Sequence, residues 1–172
     1  MRKLFLIIAS LFLLVSCKNT GTAYDLAMQE AYSCAVETQK LSQDVASMAV
    51  TTLTKATFDH VDSHGDRVDN ASDALRRLWD DYKASGTLDS LESCKSRLNS
   101  LSSKLENPPS ERKDVYNDFM ALVAEINTLC DLATQPSGTP YDYSQKVSHT
   151  LLAIDKERNE FSLKYSKQLR QQ

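Results

Sequence analysis

Glycine and proline are scarce in this chain, with four of each among 172 residues. Glycine occurs at 21, 65, 86 and 138, and proline at 108, 109, 136 and 140. Both residue types interrupt helices, yet none of them lies inside a segment with helical apolar spacing. The segments between them run for about twenty to forty residues, which is too long for β-strands. The scarcity therefore argues against strands and favours long helices.

Five segments repeat apolar residues at alternating three- and four-residue steps, as on one face of a helix. They are 22–60, 67–84, 88–106, 111–134 and 141–170. We expect helix starts at Thr22, Asn70 and Thr139, because each precedes an aspartate by three residues. The pattern predicts an all-α antiparallel bundle of four or five helices. Gly86 leaves open whether 66–106 forms two helices or one kinked helix.

Local signatures of catalysis are missing as well. The chain has no Glu-x-x-His pair of the kind that di-iron bundles use, and no P-loop, GxSxG, HExxH or CxxCH motif. Adjacent acids such as Asp80 and Asp81 fall on helix faces expected to be exposed. We therefore expect no enzymatic activity, no catalytic residues and no cofactor.

Positive charge is in the minority, with 20 basic against 23 acidic residues. Loss of residues 1–16, argued next, removes Arg2 and Lys3 and lowers the net charge from −3 to −5. An acidic domain is repelled by nucleic acid and by anionic lipid headgroups. We therefore expect no nucleic-acid partner, and any membrane attachment must come from something other than a basic surface.

The first seventeen residues carry the most specific pattern. Arg2 and Lys3 precede an apolar run from Leu4 to Val15, which is too short to span a membrane and fits a signal peptide. The run ends at Leu14-Val15-Ser16-Cys17, which resembles the lipobox of bacterial lipoproteins. This resemblance implies cleavage before Cys17 and a diacylglycerol on its sulfur, often with a further acyl chain on its amine. Two or three chains would anchor the protein almost permanently.

The resemblance also implies a division of the chain and a location. Residues 1–16 would be the signal peptide, 17–21 a short tether beside the lipid, and 22–172 the helical domain. Lys18 stands where lipoproteins retained in an inner membrane often carry aspartate. We therefore expect the outer membrane if the cell has two membranes, and otherwise the outer face of the plasma membrane.

Three cysteines remain in the domain at 34, 94 and 130. Cys34 and Cys94 lie on apolar stripes and Cys130 lies beside one, so all three can be small buried hydrophobes. An odd number allows one internal bridge at most. If one forms, Cys34–Cys94 is favoured, since both lie thirty residues from His64 and antiparallel helices turning there would bring them level.

An acidic stretch holds two of the three histidines. His60 and His64 would share a helix face, with Asp62 or Asp66 near enough to complete a divalent-metal site. Against this, Gly65 is expected to end the helix, and the aspartates also fit a solvated turn.

Trp79, the sole tryptophan, lies beside an apolar stripe and close to Arg76. Both residue types are enriched in interfaces, although Trp79 would equally widen the core face. The sequence favours a non-enzymatic envelope scaffold, adaptor or inhibitor that binds another protein. The alternative is a bundle that binds a small ligand or a metal.

Overall fold

The computed structural model describes the backbone of residues 2–169 and the side chains of residues 23–166. That range forms five α-helices: α1 (Arg2–Phe58), α2 (Ala71–Ala84), α3 (Thr87–Ser103), α4 (Lys113–Thr134) and α5 (Pro140–Leu169). A short 3₁₀ turn, Ser110–Arg112, leads into α4. Within the described backbone, strand-like pairing is limited to one bridge between Val61 and Arg67. The all-α helical bundle is confirmed.

Helices α2 and α3 run one after the other, antiparallel to α1. At one end Tyr24 of α1 donates to the carbonyl of Leu105, just beyond α3. Further along, the Thr38 hydroxyl lies 3.4 Å from the carbonyl oxygen of Cys94. Gly86 separates the two helices with a φ of 74°, which a residue with a Cβ rarely adopts. The open question is thus answered: there are two helices, and the chain does not fold back between them.

Helix α4 runs parallel to α1, and α5 returns antiparallel to both. The carboxylate of Asp25, early in the described part of α1, pairs with Arg112 just before α4. At the opposite end, the Tyr143 hydroxyl of α5 donates to the carbonyl of Leu132 at 2.9 Å. Lys164 near the end of α5 pairs with Asp118 near the start of α4. The chain therefore forms an up-down-up-down bundle whose second member is broken at Gly86.

Two of the three expected helix starts are confirmed. The Asn70 side chain accepts the Asp73 N–H at 2.9 Å, and the Thr139 hydroxyl accepts the Asp142 N–H at 3.1 Å. The start expected at Thr22 is wrong, because α1 is continuous from Arg2 to Phe58 and includes residues 17–21. One glycine inside a helix costs only about 1 kcal/mol, so Gly21 does not have to end it.

One hydrophobic cluster fills the bundle, and α4 contributes to it throughout its length. Its largest fully buried side chains are those of Tyr143, Phe119 and Phe161. Phe161 lies between the rings of Phe119 and Tyr32, with centroid distances of 5.6 and 4.9 Å. Among the residues with described side chains, no helix has a stretch long and apolar enough to cross a membrane.

Candidate functional site

The acidic turn between α1 and α2 is organised by one buried carboxylate. Asp62 is 2 % exposed. Its Oδ1 accepts the backbone N–H groups of His64 and Asp66 at 3.0 and 2.9 Å. Its Oδ2 accepts from the Arg77 guanidinium of α2 at 2.9 Å. Burial opposes the charge, but the hydrogen bonds from Asp66, Arg77 and His64 outweigh it and lower the pKa of Asp62.

This geometry contradicts the metal site predicted at His60, Asp62, His64 and Asp66. Helix α1 ends at Phe58, so the two histidines do not share a helix face. Instead, His64 Nε2 lies 2.8 Å from Asp81 Oδ2 across the turn. Both carboxylate oxygens of Asp62 already accept hydrogen bonds from other protein groups. Among the described residues, no three His, Cys, Asp or Glu side chains gather as a metal would require. The prediction is wrong because the aspartate folds the turn rather than facing a cavity.

Trp79 and Arg76, the predicted partner surface, both have contacts within the fold. The Trp79 ring is half-buried against the core, and its Nε1–H donates to the carbonyl of Thr134 at the end of α4, at 3.2 Å. Arg76 is exposed and pairs with Asp73 and Asp80 on its own helix. Trp79 therefore links α2 to the end of α4. A partner surface at Trp79 and Arg76 stays a prediction.

The three cysteines of the domain are free thiols. Cys34 and Cys130 are buried, and Cys94 is partly exposed. Burial raises the pKa of the Cys34 thiol, and it raises that of Cys130 to about 11. The expected Cys34–Cys94 bridge is not formed in the structure.

Sequence reasoning missed the buried ion pair between Asp25 and Arg112. The Arg112 Nε–H donates to Asp25 Oδ1 and its Nη2–H to Asp25 Oδ2, both at 2.9 Å. The Tyr165 hydroxyl of α5 donates to the Asp25 carbonyl at 3.2 Å. Eighty-seven positions separate the two charged residues, so no local pattern could reveal this pair. The only signal was that Asp25 and Arg112 each stand beside an apolar stripe.

An uncharged groove opens where the end of α1 meets the start of α5. Phe58 and Tyr141 flank it and are 75 % and 71 % exposed. Its volume is about 380 Å³, and three threonines, a proline and a serine complete it: Thr54, Thr57, Thr139, Pro140 and Ser144. The Thr54 and Thr57 hydroxyls donate to carbonyls one turn earlier in α1. The groove thus presents mainly aromatic and methyl surface.

A second groove, of about 240 Å³, lies between α3 and α4. Asn127 of α4 donates through Nδ2 to Asn99 Oδ1 of α3 at 2.9 Å, while its own Oδ1 is buried without a hydrogen-bond partner. Met120 and Val123 give the groove an apolar floor, and Glu106 lies at its rim. This groove has the mixed lining expected for a small polar ligand.

The predicted lipidation site, Cys17, and the rest of the Leu14-Val15-Ser16-Cys17 motif lie outside the residues whose side chains are described. Comparisons with family models, curated proteins and solved structures find no match to the chain.

Proposed function

We propose that the chain is a membrane-anchored bacterial lipoprotein whose helical domain is a non-enzymatic adaptor for another envelope protein. The anchor is supported by the sequence Leu14-Val15-Ser16-Cys17 and the apolar run before it. The adaptor role is supported by the exposed aromatic groove around Phe58 and Tyr141. Scaffold and inhibitor roles would use the same surface.

The groove is the single observation that carries the binding role. Phe58 and Tyr141 leave more than two thirds of their surface in water, so they gain little hydrophobic stabilisation within the fold. Adjacent exposed apolar groups of this kind mark surfaces that a partner covers. Aromatic side chains also dominate the energetics of protein interfaces. The lining has no charged residue although a quarter of the chain is charged. The matching partner surface is therefore an uncharged apolar segment.

The position of the groove fits an adaptor that reaches away from its anchor. From Tyr24 to Phe58, α1 spans about 50 Å at 1.5 Å per residue. The groove thus lies at the end of the bundle opposite the segment that follows Cys17. A partner bound there would lie in the aqueous envelope space rather than in the membrane.

Fractionation of cells tests the anchor. We expect the wild-type protein in the membrane fraction and the Cys17→Ser protein outside it, because the substitution removes the sulfur that carries the lipid. Retention of the Cys17→Ser protein in the membrane after signal cleavage would refute lipid anchoring.

Site-specific photocrosslinking tests the groove. A photoreactive residue at Tyr141 should give a discrete crosslinked product in cells, which Phe58→Ala should abolish. The matched control is Leu163, which lies on the same helix and is 65 % exposed but is far from the groove. Equal products from both positions, or a product that survives Phe58→Ala, would contradict the proposal.

The alternative, a bundle that binds a small ligand, is favoured by the unpaired Asn127 oxygen in the groove between α3 and α4. Native mass spectrometry of protein purified from its own cells would then show a noncovalent adduct. Asn127→Leu should remove that adduct. An unliganded wild-type mass would count against this role.

A further inference from the structure

The three free thiols of the domain lie where α1, α3 and α4 meet. On α1, Glu30 and Glu37 lie four residues before and three residues after Cys34, which places all three on one helix face. Both glutamates face Arg97 of α3, at 3.8 and 3.7 Å. Arg97 in turn lies three residues after Cys94, so this face of α3 also carries Cys94. The two cysteines therefore lie on helix faces that contact each other.

The backbones of the two cysteines are also close. The Thr38 hydroxyl donates to the carbonyl of Cys34 at 2.8 Å, and the same oxygen lies 3.4 Å from the carbonyl oxygen of Cys94. One hydroxyl thus bridges both residues, which places Cys34 and Cys94 at nearly the same level in the bundle. An internal disulfide requires this kind of placement, because the α-carbons it joins must approach within about 7 Å.

Cys130 approaches the same junction from another side. Its neighbour Asp131 pairs with Lys95, the neighbour of Cys94, at 2.5 Å. Lys95 lies on the face of α3 that also carries Asn99, and Asn99 contacts Asn127 of α4. Cys94 is close to both other thiols, because it contributes to the raised pKa of Cys34 and to that of Cys130, which also hydrogen-bonds Ser42 of α1. The Thr38 hydroxyl, which contacts the carbonyl oxygens of both Cys34 and Cys94, favours Cys34 as the partner of Cys94.

We propose that Cys34 and Cys94 are a redox-responsive thiol pair that closes to an internal disulfide by exchange with a disulfide oxidant, while Cys130 stays reduced. Cys94 is the partly exposed member and reacts first, because an external disulfide cannot reach the two buried thiols. Cys34 then resolves the intermediate. This inference does not depend on the proposed adaptor role or on the lipid anchor.

The exchange has two balanced steps. The Cys94 thiolate attacks one sulfur of the external disulfide, forms a mixed disulfide and releases the first external thiol, which gains the proton that Cys94 lost. The Cys34 thiolate then attacks the Cys94 sulfur and releases the second external thiol. Two protein thiols are oxidised to one disulfide, and one external disulfide is reduced to two thiols.

Thiol counting after incubation with oxidised glutathione tests the proposal. The full chain is used with Cys17→Ser, so that only the three domain cysteines can react. Alkylation after an acid quench should count three thiols before oxidation and one after it. Peptide mapping should find Cys34 joined to Cys94, with a mass about 2 Da below that of the two reduced peptides because two hydrogens are lost.

Three variants separate the roles of the thiols. Cys94→Ser should form no disulfide bridge and take up no glutathione. If circular dichroism shows that the serine variant does not fold, Cys94→Ala is used in its place. Cys34→Ser should accumulate glutathione on Cys94, because the resolving thiol is gone. Cys130→Ser should bridge as the parent protein does. Three unreacted thiols in the parent, a bridge between Cys94 and Cys130, or oxidation that persists without Cys94 would each overturn the proposal.

Discussion

The substitution Arg112→Met leaves the carboxylate of Asp25 without its guanidinium partner inside the bundle. In the structure the two side chains retain only 8 % and 11 % of their surface in water. Their two hydrogen bonds, both 2.9 Å long, join the first part of the described domain to the turn before α4. Methionine preserves most of the apolar stem of arginine while it removes the charge. The variant therefore measures the cost of removing this guanidinium from a buried carboxylate.

Removal of one partner from a buried ion pair costs about 3–5 kcal/mol. We expect a loss near 3 kcal/mol in the free energy of unfolding, the lower end of that range, because each side chain keeps some contact with water. For a domain of this size, that loss should lower Tm by roughly 6–12 °C. The double variant Asp25→Leu/Arg112→Met should lose less than Arg112→Met alone, because it removes the buried carboxylate together with the guanidinium.

Urea unfolding followed by far-UV circular dichroism and by the fluorescence of Trp79 measures these differences. The matched control is Arg97→Met, which removes an exposed arginine whose glutamate partners lie 3.7 and 3.8 Å away. It should cost less than about 1 kcal/mol, as exposed pairs generally do. Equal losses for Arg112→Met and Arg97→Met would refute the reasoning. A double variant less stable than Arg112→Met would refute it too.

Three further predictions concern the turn and α2. Asp62→Asn should speed hydrogen exchange at the amides of His64 and Asp66, because the charged acceptor of both N–H groups is lost. In the wild type, the protection of these amides should fall as the pH drops below about 4. The fold lowers the pKa of Asp62, so its stabilising charge is lost as the pH falls through that lowered pKa. Asp81→Asn should lower the pKa of His64 in an NMR titration, because hydrogen bonding to Asp81 raises that pKa; an unchanged titration would exclude the contact. The stabilisation by this pair is complete below the unfolded histidine pKa of about 6.5 and is lost as the pH rises through the folded pKa. Trp79→Phe should cost about 1 kcal/mol in urea unfolding by removing the N–H bond to the end of α4, whereas no loss would mean that the bond is not formed in solution.

The helices and their order could be predicted from the sequence, because the rare glycines and prolines fall between stripes of apolar residues. The segment 111–134 is an example, since six of its apolar residues at three- and four-residue steps are all buried in α4: Val115, Phe119, Leu122, Ile126, Leu129 and Ala133. Caps at Asn70 and Thr139 followed from local hydrogen-bond chemistry, which depends only on residues three apart. The start at Thr22 failed because a capping pattern marks a helix start only where the preceding residues leave the helix.

The site residues could not be predicted in the same way, because their roles depend on contacts between distant parts of the chain. Asp62 looked like a metal ligand, but Arg77 from the next helix and two backbone amides occupy it. Asp25 fitted a helix cap in the sequence, whereas in the structure it pairs with Arg112, eighty-seven positions later in the chain. Spacing did favour Cys34 and Cys94 as neighbours, since α2 and α3 continue along α1 without folding back.

The central claim is that a lipid on Cys17 holds this helical bundle at a bacterial membrane. Mass spectrometry of the N-terminal peptide from protein purified from its own cells tests the claim most directly. The account predicts a peptide that begins at Cys17 and carries a diacylglycerol on the sulfur. A peptide that begins elsewhere, or one with an unmodified Cys17 thiol, would contradict it.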